Sequence, residues 1–385
     1  METNKTLFQK LDLQTPLRIP LRMFYVMGLS IFDGRQHCCT TFEKVKRAKF
    51  CILNIFIIFF VIIAISIYNY DPPYGDNFGK FNDKLKLGVV IAAHLVILCE
   101  SVIAGGYTNG FFQIYSKIHL KSSTDHHWKS EMKLYWKLFS YLGGSIAFIL
   151  SVEITYLMQV LDKDDWLVYF TSYTPCVFIC RCRLLQFILS LELIRVELEQ
   201  LNRELLQSAK GTGKVQMKFY EKFICNVLPQ WMKRYEDIFE MSHSLSKSMP
   251  ISPLVVFIAA YIKILSDCYW AYWVNYAKFK INEIFECSLL LPSVLNILLV
   301  LVVSKNCMRT AKLIPQSLHS IRHSVGNLCL SRKIQHFSLQ ICHQQIIFKA
   351  FGCFTIDCYI ASGILGSIAT YMMFYIQFMP KFNYL

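Results

Sequence analysis

The sequence predicts an all-α membrane protein of seven transmembrane helices, N-terminus in the cytoplasm and C-terminus outside. Three observations predict it. The 385 residues are 54% hydrophobic and only 17% charged, with a mean hydropathy of +0.37. A soluble domain of this length carries more charge. The apolar residues gather in blocks of about twenty, enough to cross roughly 30 Å of hydrocarbon at 1.5 Å per residue. The lysines and arginines, finally, are shared very unequally between the connections.

Residues 1–49 form a basic leader, and the apolar block that opens near Phe50 reads as a retained span rather than a signal peptide. The spans run over 50–68, 87–106, 138–161, 167–192, 251–273, 284–304 and 354–379. Asp71-Pro72-Pro73-Tyr74-Gly75 turns the chain after the first span, and Asp162-Lys163-Asp164-Asp165 after the third. Asn275 to Glu283 joins the fifth and sixth. Of the 40 Lys and Arg, 30 lie in the leader and the three long connections, against 7 in the short loops and tail. Positive charge stays inside, so the leader and long connections are cytoplasmic. The +14 net charge is mostly this asymmetry, not a nucleic-acid footprint.

The long connections carry helical periodicity. Leu191, Ile194, Leu198, Leu201 and Leu205 recur at steps of three and four, so the fourth span continues below the membrane as an amphipathic helix. Glu199 and Arg203 are spaced to pair on it, and Gly211-Thr212-Gly213 ends it. Leu313 to Phe348 reads as helix running up to the final span. Residues 305–353 thus form a cytoplasmic segment where subunits could meet.

Catalytic and metal chemistry find no support. His319 and His323 are four apart but lack the Glu of a His-Glu-x-x-His site, so a solvated helix face explains them. His37-Cys38-Cys39 lacks ligand spacing. The sequence shows no phosphate-binding glycine loop, nucleophile elbow or paired catalytic carboxylates; no enzyme activity, cofactor or metal is expected. None of the 15 cysteines falls in the short outer loops, which argues against an external disulfide between them. Asn4-Lys5-Thr6 is a glycosylation sequon on the wrong side of the membrane to be modified. An odd number of spans without repeated halves disfavours an inverted-repeat transporter. A G-protein-coupled receptor has the opposite orientation, and the Asp-Arg-Tyr and Asn-Pro-x-x-Tyr motifs are missing.

The last span carries the most specific signal. Thr370-Tyr371, five apolar or aromatic residues, then Gln377-Phe378 close the helix, and Gly352-Cys353-Phe354-Thr355-Ile356-Asp357 precedes it. A glutamine there suits either capping at the outer interface or lining a water path. Both stretches, with Arg22-Met23-Phe24-Tyr25-Val26-Met27-Gly28-Leu29 in the leader, resemble the insect gustatory receptors, whose motif is Thr-Tyr, five hydrophobic residues, Gln-Phe. That resemblance implies a ligand-gated, non-selective cation channel of four like or related subunits, opened by a small-molecule tastant. Its place is the plasma membrane of chemosensory neurons, in dendrite, cell body and axon. The alternative is an odorant-receptor-type channel subunit of the same architecture. Residues 354–385 would comprise the pore helix and outer tail, with Thr370, Tyr371, Ile376, Gln377 and Phe378 as pore and gate. Residues 50–304 would be the six-helix ligand-sensing bundle.

Span directions place His94, Glu153, Tyr156, Gln159, Tyr169, Thr171, Tyr173, Lys263, Asp267, Tyr269, Trp270 and Glu286 in the outer halves of spans two to six. Ionisable groups there need partners or water. Lys263 and Asp267 are spaced to pair. His94, Glu153, Tyr156, Tyr173, Lys263, Asp267 and Trp270 are the candidate ligand residues, since small-molecule sites combine apolar walls with a few polar groups. Structural hydrogen bonds and an outer aromatic belt of Tyr269, Trp270, Tyr272, Trp273 and Tyr276 explain the same residues otherwise. Deeper down, Arg181 and Arg183 either meet Glu100 or reach to the cytoplasmic surface.

Overall fold

A computed structural model describes residues 18–29, 49, 52–59, 77–121, 132–133, 136, 139–141, 143–144, 163–210, 217–276, 283–321 and 328–378. In chain order its elements are α1 (Arg18–Val26), α2 (Asn77–Ile103), α3 (Gly105–Lys121), α4 (Lys163–Lys210), α5 (Met217–Ser248), α6 (Ser252–Tyr276), α7 (Glu283–His319), α8 (Leu328–His343), β1 (Lys349–Ala350), β2 (Phe354–Thr355) and α9 (Tyr359–Phe378).

Helix α4 organises the bundle. Its 48 residues run about 70 Å, more than twice the hydrocarbon thickness, so part of it must project beyond the bilayer. The predicted stripe holds: Leu191, Ile194, Leu198, Leu201 and Leu205 are all fully buried. Along it lies α7, the most extensive helix pair; α2 packs on α6, α3 on α5, and α8 covers α5 and the end of α7. Arg234 of α5 ties α5 to α4 through Glu197 (2.8 Å) and Glu204 (2.6 Å). Burial pushes the Tyr235 phenol up to about 12; its hydroxyl donates to the Gln344 carbonyl at 2.8 Å.

Four described helices are long and apolar enough to cross a membrane: Phe78–Ile103, Ser252–Tyr272, Leu290–His319 and Tyr359–Gln377. They carry the expected second, fifth, sixth and seventh spans. The expected fourth lies within α4, where Arg181 and Arg183 interrupt the apolar run. The expected first and third lie mostly outside the described residues, although residues 52–59 are helical.

Several expectations are corrected. Helix α2 begins at Asn77, ten residues before the expected span, and breaks at Ala104. The stretch Leu313–Phe348 is not helical to its end: residues 345–348 leave α8 as extended chain into a hairpin, in which Lys349 pairs with Thr355 and Ala350 with Phe354. Phe351 (φ 49°) and Gly352 (φ 72°) turn it, the two positive φ angles that a type I′ turn requires. Phe351 N–H donates to the Pro250 carbonyl at 3.1 Å, pinning the hairpin beside the start of α6. The final helix therefore starts at Tyr359, not 354. A short apolar run cannot by itself distinguish strand from helix, which is why the periodicity misled. Nor do Glu199 and Arg203 pair through their side chains. Arg203 donates to the Glu199 carbonyl at 3.3 Å, while the Glu199 carboxylate takes Arg195, at 3.3 Å.

Candidate functional site

The polar residues expected in the outer half converge where α2, α4 and α6 meet. On α6, Lys263 and Asp267 stand one turn apart and pair at 2.6 Å. Lys86 of α2 reaches the other oxygen of Asp267 at 2.9 Å. One turn earlier on α2, Asp83 accepts from Trp270 Nε1 at 3.0 Å and from Ser266 Oγ at 3.4 Å. Lys86 also lies 5.4 Å from the centre of the Tyr173 ring on α4. Two lysines and two aspartates thus neutralise one another, so that each charge withdrawn from water keeps a partner. Lower on α2, His94 is 2% exposed; its Nδ1 is 3.3 Å from the Cys176 thiol of α4, and its Nε2 has no hydrogen-bond partner among the described residues.

Five of the predicted residues, His94, Tyr173, Lys263, Asp267 and Trp270, are therefore buried on these facing helices. Glu153, Tyr156 and Gln159 lie outside the described residues, as do the side chains of Tyr169, Thr171, Glu286, Trp273 and Tyr276. The aromatic belt is corrected in part, because Tyr269 (2% exposed) and Trp270 (8%) face inward. Asp83 and Lys86 were missed because they precede the expected start of the span. Their spacing with Val90 marks one helical face and was the available signal.

Aromatic rings connect this cluster to the last helix. Trp270 meets Tyr269 edge-on at 5.4 Å, and Tyr269 meets Tyr375 of α9 at 5.3 Å. Phe78 of α2 stands 5.4 Å from Tyr375. At Gly79 a Cβ would lie 2.6 Å from Trp270 Cη2, so glycine is what lets the indole lie against α2. Tyr375, one of the five residues inside the terminal motif and not singled out by sequence, is the α9 residue most deeply buried in the bundle.

Elsewhere α9 is only partly covered: Ala361, Ile364 and Ile368 pack against the core without being fully buried. Only 6% of its membrane-length window is buried by the rest of the chain, against 50% for α2, α6 and α7. Tyr371 is 48% exposed and Ile376 51%; Thr370 and Gln377 are exposed too, and the Phe378 side chain lies outside the described residues. Thr370 Oγ1 donates to the Gly366 carbonyl at 3.0 Å, so this hydroxyl is satisfied within its own helix rather than across to another.

Toward the other end of the bundle, Arg183 meets Glu100, the first of the two alternatives for that arginine. The guanidinium is 2% exposed and 3.2 Å from the carboxylate; it also donates to Ser252 Oγ (3.0 Å), Gln186 Oε1 (2.8 Å) and the Leu29 carbonyl (3.1 Å). Glu100 accepts from the backbone N–H groups of Ile251 (2.6 Å) and Ser252 (3.1 Å) and from the Ser252 hydroxyl. A carboxylate is favoured at the positive end of a helix, and here it caps α6 from a neighbouring one.

The model of the 7tm chemosensory receptor family matches residues 17–382. Two Drosophila melanogaster proteins are similar in sequence. One, assigned as gustatory receptor 2a, is 25% identical over 255 residues, 57% of this chain and 59% of that protein. The other, assigned as gustatory receptor 28b, is 24% identical over 161 residues, 40% of this chain and 34% of that protein. The match thus spans less than two thirds of either relative. Among solved structures, the insect olfactory receptor OR5 from Machilis hrabei in complex with eugenol superposes with a TM-score of 0.66 at 10% identity, covering 97% of this chain and 98% of that one. A second structure of OR5 gives 0.66 at 8% identity, covering 94% and 96%. At such identity the likeness is one of fold.

Proposed function

The chain belongs to the 7tm chemosensory receptor family, and from that premise we propose that it is a gustatory receptor acting as a ligand-gated, non-selective cation channel opened by a small-molecule tastant. It works as a tetramer, of itself or with related receptors, in the plasma membrane of chemosensory neurons. Seven spans carry the chain from a cytoplasmic leader (1–49) to an outer tail. The observation that carries this reading is the last helix: it bears the terminal motif, and its own chain fully buries only 6% of its membrane-length window. Four such helices around an axis would cover one another. Gln377 would then offer water and cations a neutral polar ring, while Ile376 and Phe378 close a constriction by excluding water.

Ligand enters the outer half of the bundle, among His94, Tyr173, Lys263, Asp267 and Trp270, with Glu153 and Tyr156 from the third span. Binding opens the channel only to the extent that the ligand prefers the open arrangement. Residues 305–353 anchor the subunits on the cytoplasmic side. The test is whole-cell current under a tastant screen, comparing the native chain with Gln377→Ala at matched surface expression. The expected result is altered ion selectivity or gating in the variant. Unchanged currents would remove Gln377 from the pore.

The fold likeness to an olfactory receptor favours a second reading, an odorant-receptor-type subunit. Recording the chain alone and then with related receptors separates the two. Current only beside a common partner would favour the second.

A further inference from the structure

We propose that Cys225 and Cys329 form a reversible, peroxide-driven disulfide that staples α8 to α5. Cys225 is half-buried on α5, Cys329 is exposed on α8, and both are free thiols. Their side chains lie within interacting distance of each other. Lys333 stands one turn beyond Cys329 on the same face of α8, and its ammonium donates to the Cys225 carbonyl at 3.2 Å. Two consecutive turns of α8 are thus both held against Cys225. A further α8–α5 contact, Gln340 to the Met232 carbonyl at 3.5 Å, keeps the helices in this register. Both contacts put the Cys329–Lys333 face of α8 against α5.

The chemistry divides between the two sulfurs by exposure. Burial pushes the Cys225 thiol up, against a smaller opposing pull from Lys333. The exposed Cys329 is consequently the sulfur that a peroxide reaches first. Its thiolate attacks one peroxide oxygen, the O–O bond breaks, and a sulfenic acid and water result. Cys225 then attacks the Cys329 sulfur; the S–S bond forms, the S–O bond breaks, and hydroxide leaves as water with the Cys225 proton. Two thiols and one peroxide yield one disulfide and two waters, with both sulfurs oxidised and the peroxide reduced. In the orientation proposed above the pair is cytoplasmic, where glutathione reverses such bonds, so the link is a transient state rather than a permanent brace. Its leverage comes from position: α8 leads through the hairpin directly to α9.

The experiment uses the full chain in detergent, treated with hydrogen peroxide, alkylated, digested and weighed. The expected result is a Cys225–Cys329 cross-linked peptide that dithiothreitol abolishes, with loss of alkylation at both positions, while the exposed Cys342 stays alkylatable. Thermal unfolding should move upward on oxidation in the native chain and stay put in Cys225→Ser and Cys329→Ser. Should either variant fail to fold, the cross-link on the native chain still decides. Both thiols remaining alkylatable, or Cys329 running on to sulfinic acid with Cys225 still reduced, would overturn the proposal. The mass readout is independent of channel activity, so its failure and that of the functional reading are separable.

Discussion

Lys263 and Gln377 are both polar residues within helices long enough to cross a membrane, yet the molecule treats them in opposite ways. Lys263 is 6% exposed and bonded to an aspartate that also holds Lys86. Gln377 stands exposed on a helix that its chain only partly covers. The bundle pairs the buried charges of Lys86, Lys263 and Asp267, and of Arg183 and Glu100, within itself; α9 leaves most of its motif residues to whatever surrounds it. On the proposed reading, the difference means that one chain suffices to build the sensing region, whereas the conducting region needs neighbours. Between the two stands Tyr375, the motif residue that the bundle does bury.

The largest expected effect would break the self-sufficient side. Arg183→Met leaves Glu100 buried without its cation and should cost about 3–5 kcal/mol, read as a collapse of the thermal unfolding midpoint in detergent. Arg183→Met with Glu100→Gln should recover part of that loss; no recovery would mean that the pair does not act as a unit. Next comes Lys86→Met, which leaves Asp267 one lysine and should cost about 1.5–3 kcal/mol. A neutral result would show that water already solvates the Asp267 cluster. Gly79→Ala tests the joint between the regions: the added methyl displaces the Trp270 ring and should cost about 1–3 kcal/mol. Its opening threshold should shift as well, because Trp270 backs the rings that hold Tyr375. Smallest is Met373→Ser on α9, where the single chain should change by no more than about 0.5 kcal/mol. If α9 meets its neighbours in the proposed tetramer, the same variant should lower the tetramer fraction in native mass spectrometry. Equal tetramer content would sharpen the comparison by moving the subunit contact to another face of α9.

Much of the bundle was legible because burial imposes a period. The leucine stripe from Leu191 to Leu205 could be read as a buried face, and it is one. Lys263 with Asp267, and Arg183 with Glu100, were legible for a second reason: a charge in an apolar span must find a partner, and few candidates exist. Lys86 was not, since a lysine at the edge of a span serves equally well in water. Tyr375 was hidden among five apolar neighbours, any of which could have faced inward. The hairpin at Phe351-Gly352 escaped because its strands are two residues each, too short for alternation to register.

The sequence by itself determined which segments are apolar enough to leave water, where positive charge collects, and which terminal motif closes the chain. These follow from one-dimensional quantities: transfer free energy summed over a window, and the spacing of residue types. Only the tertiary structure decided that Asp267 serves two lysines, that Glu100 caps a helix other than its own, and that Tyr375 is the α9 residue the bundle buries. Each depends on the angle and register at which helices cross, set by many small packing contacts that no local pattern encodes.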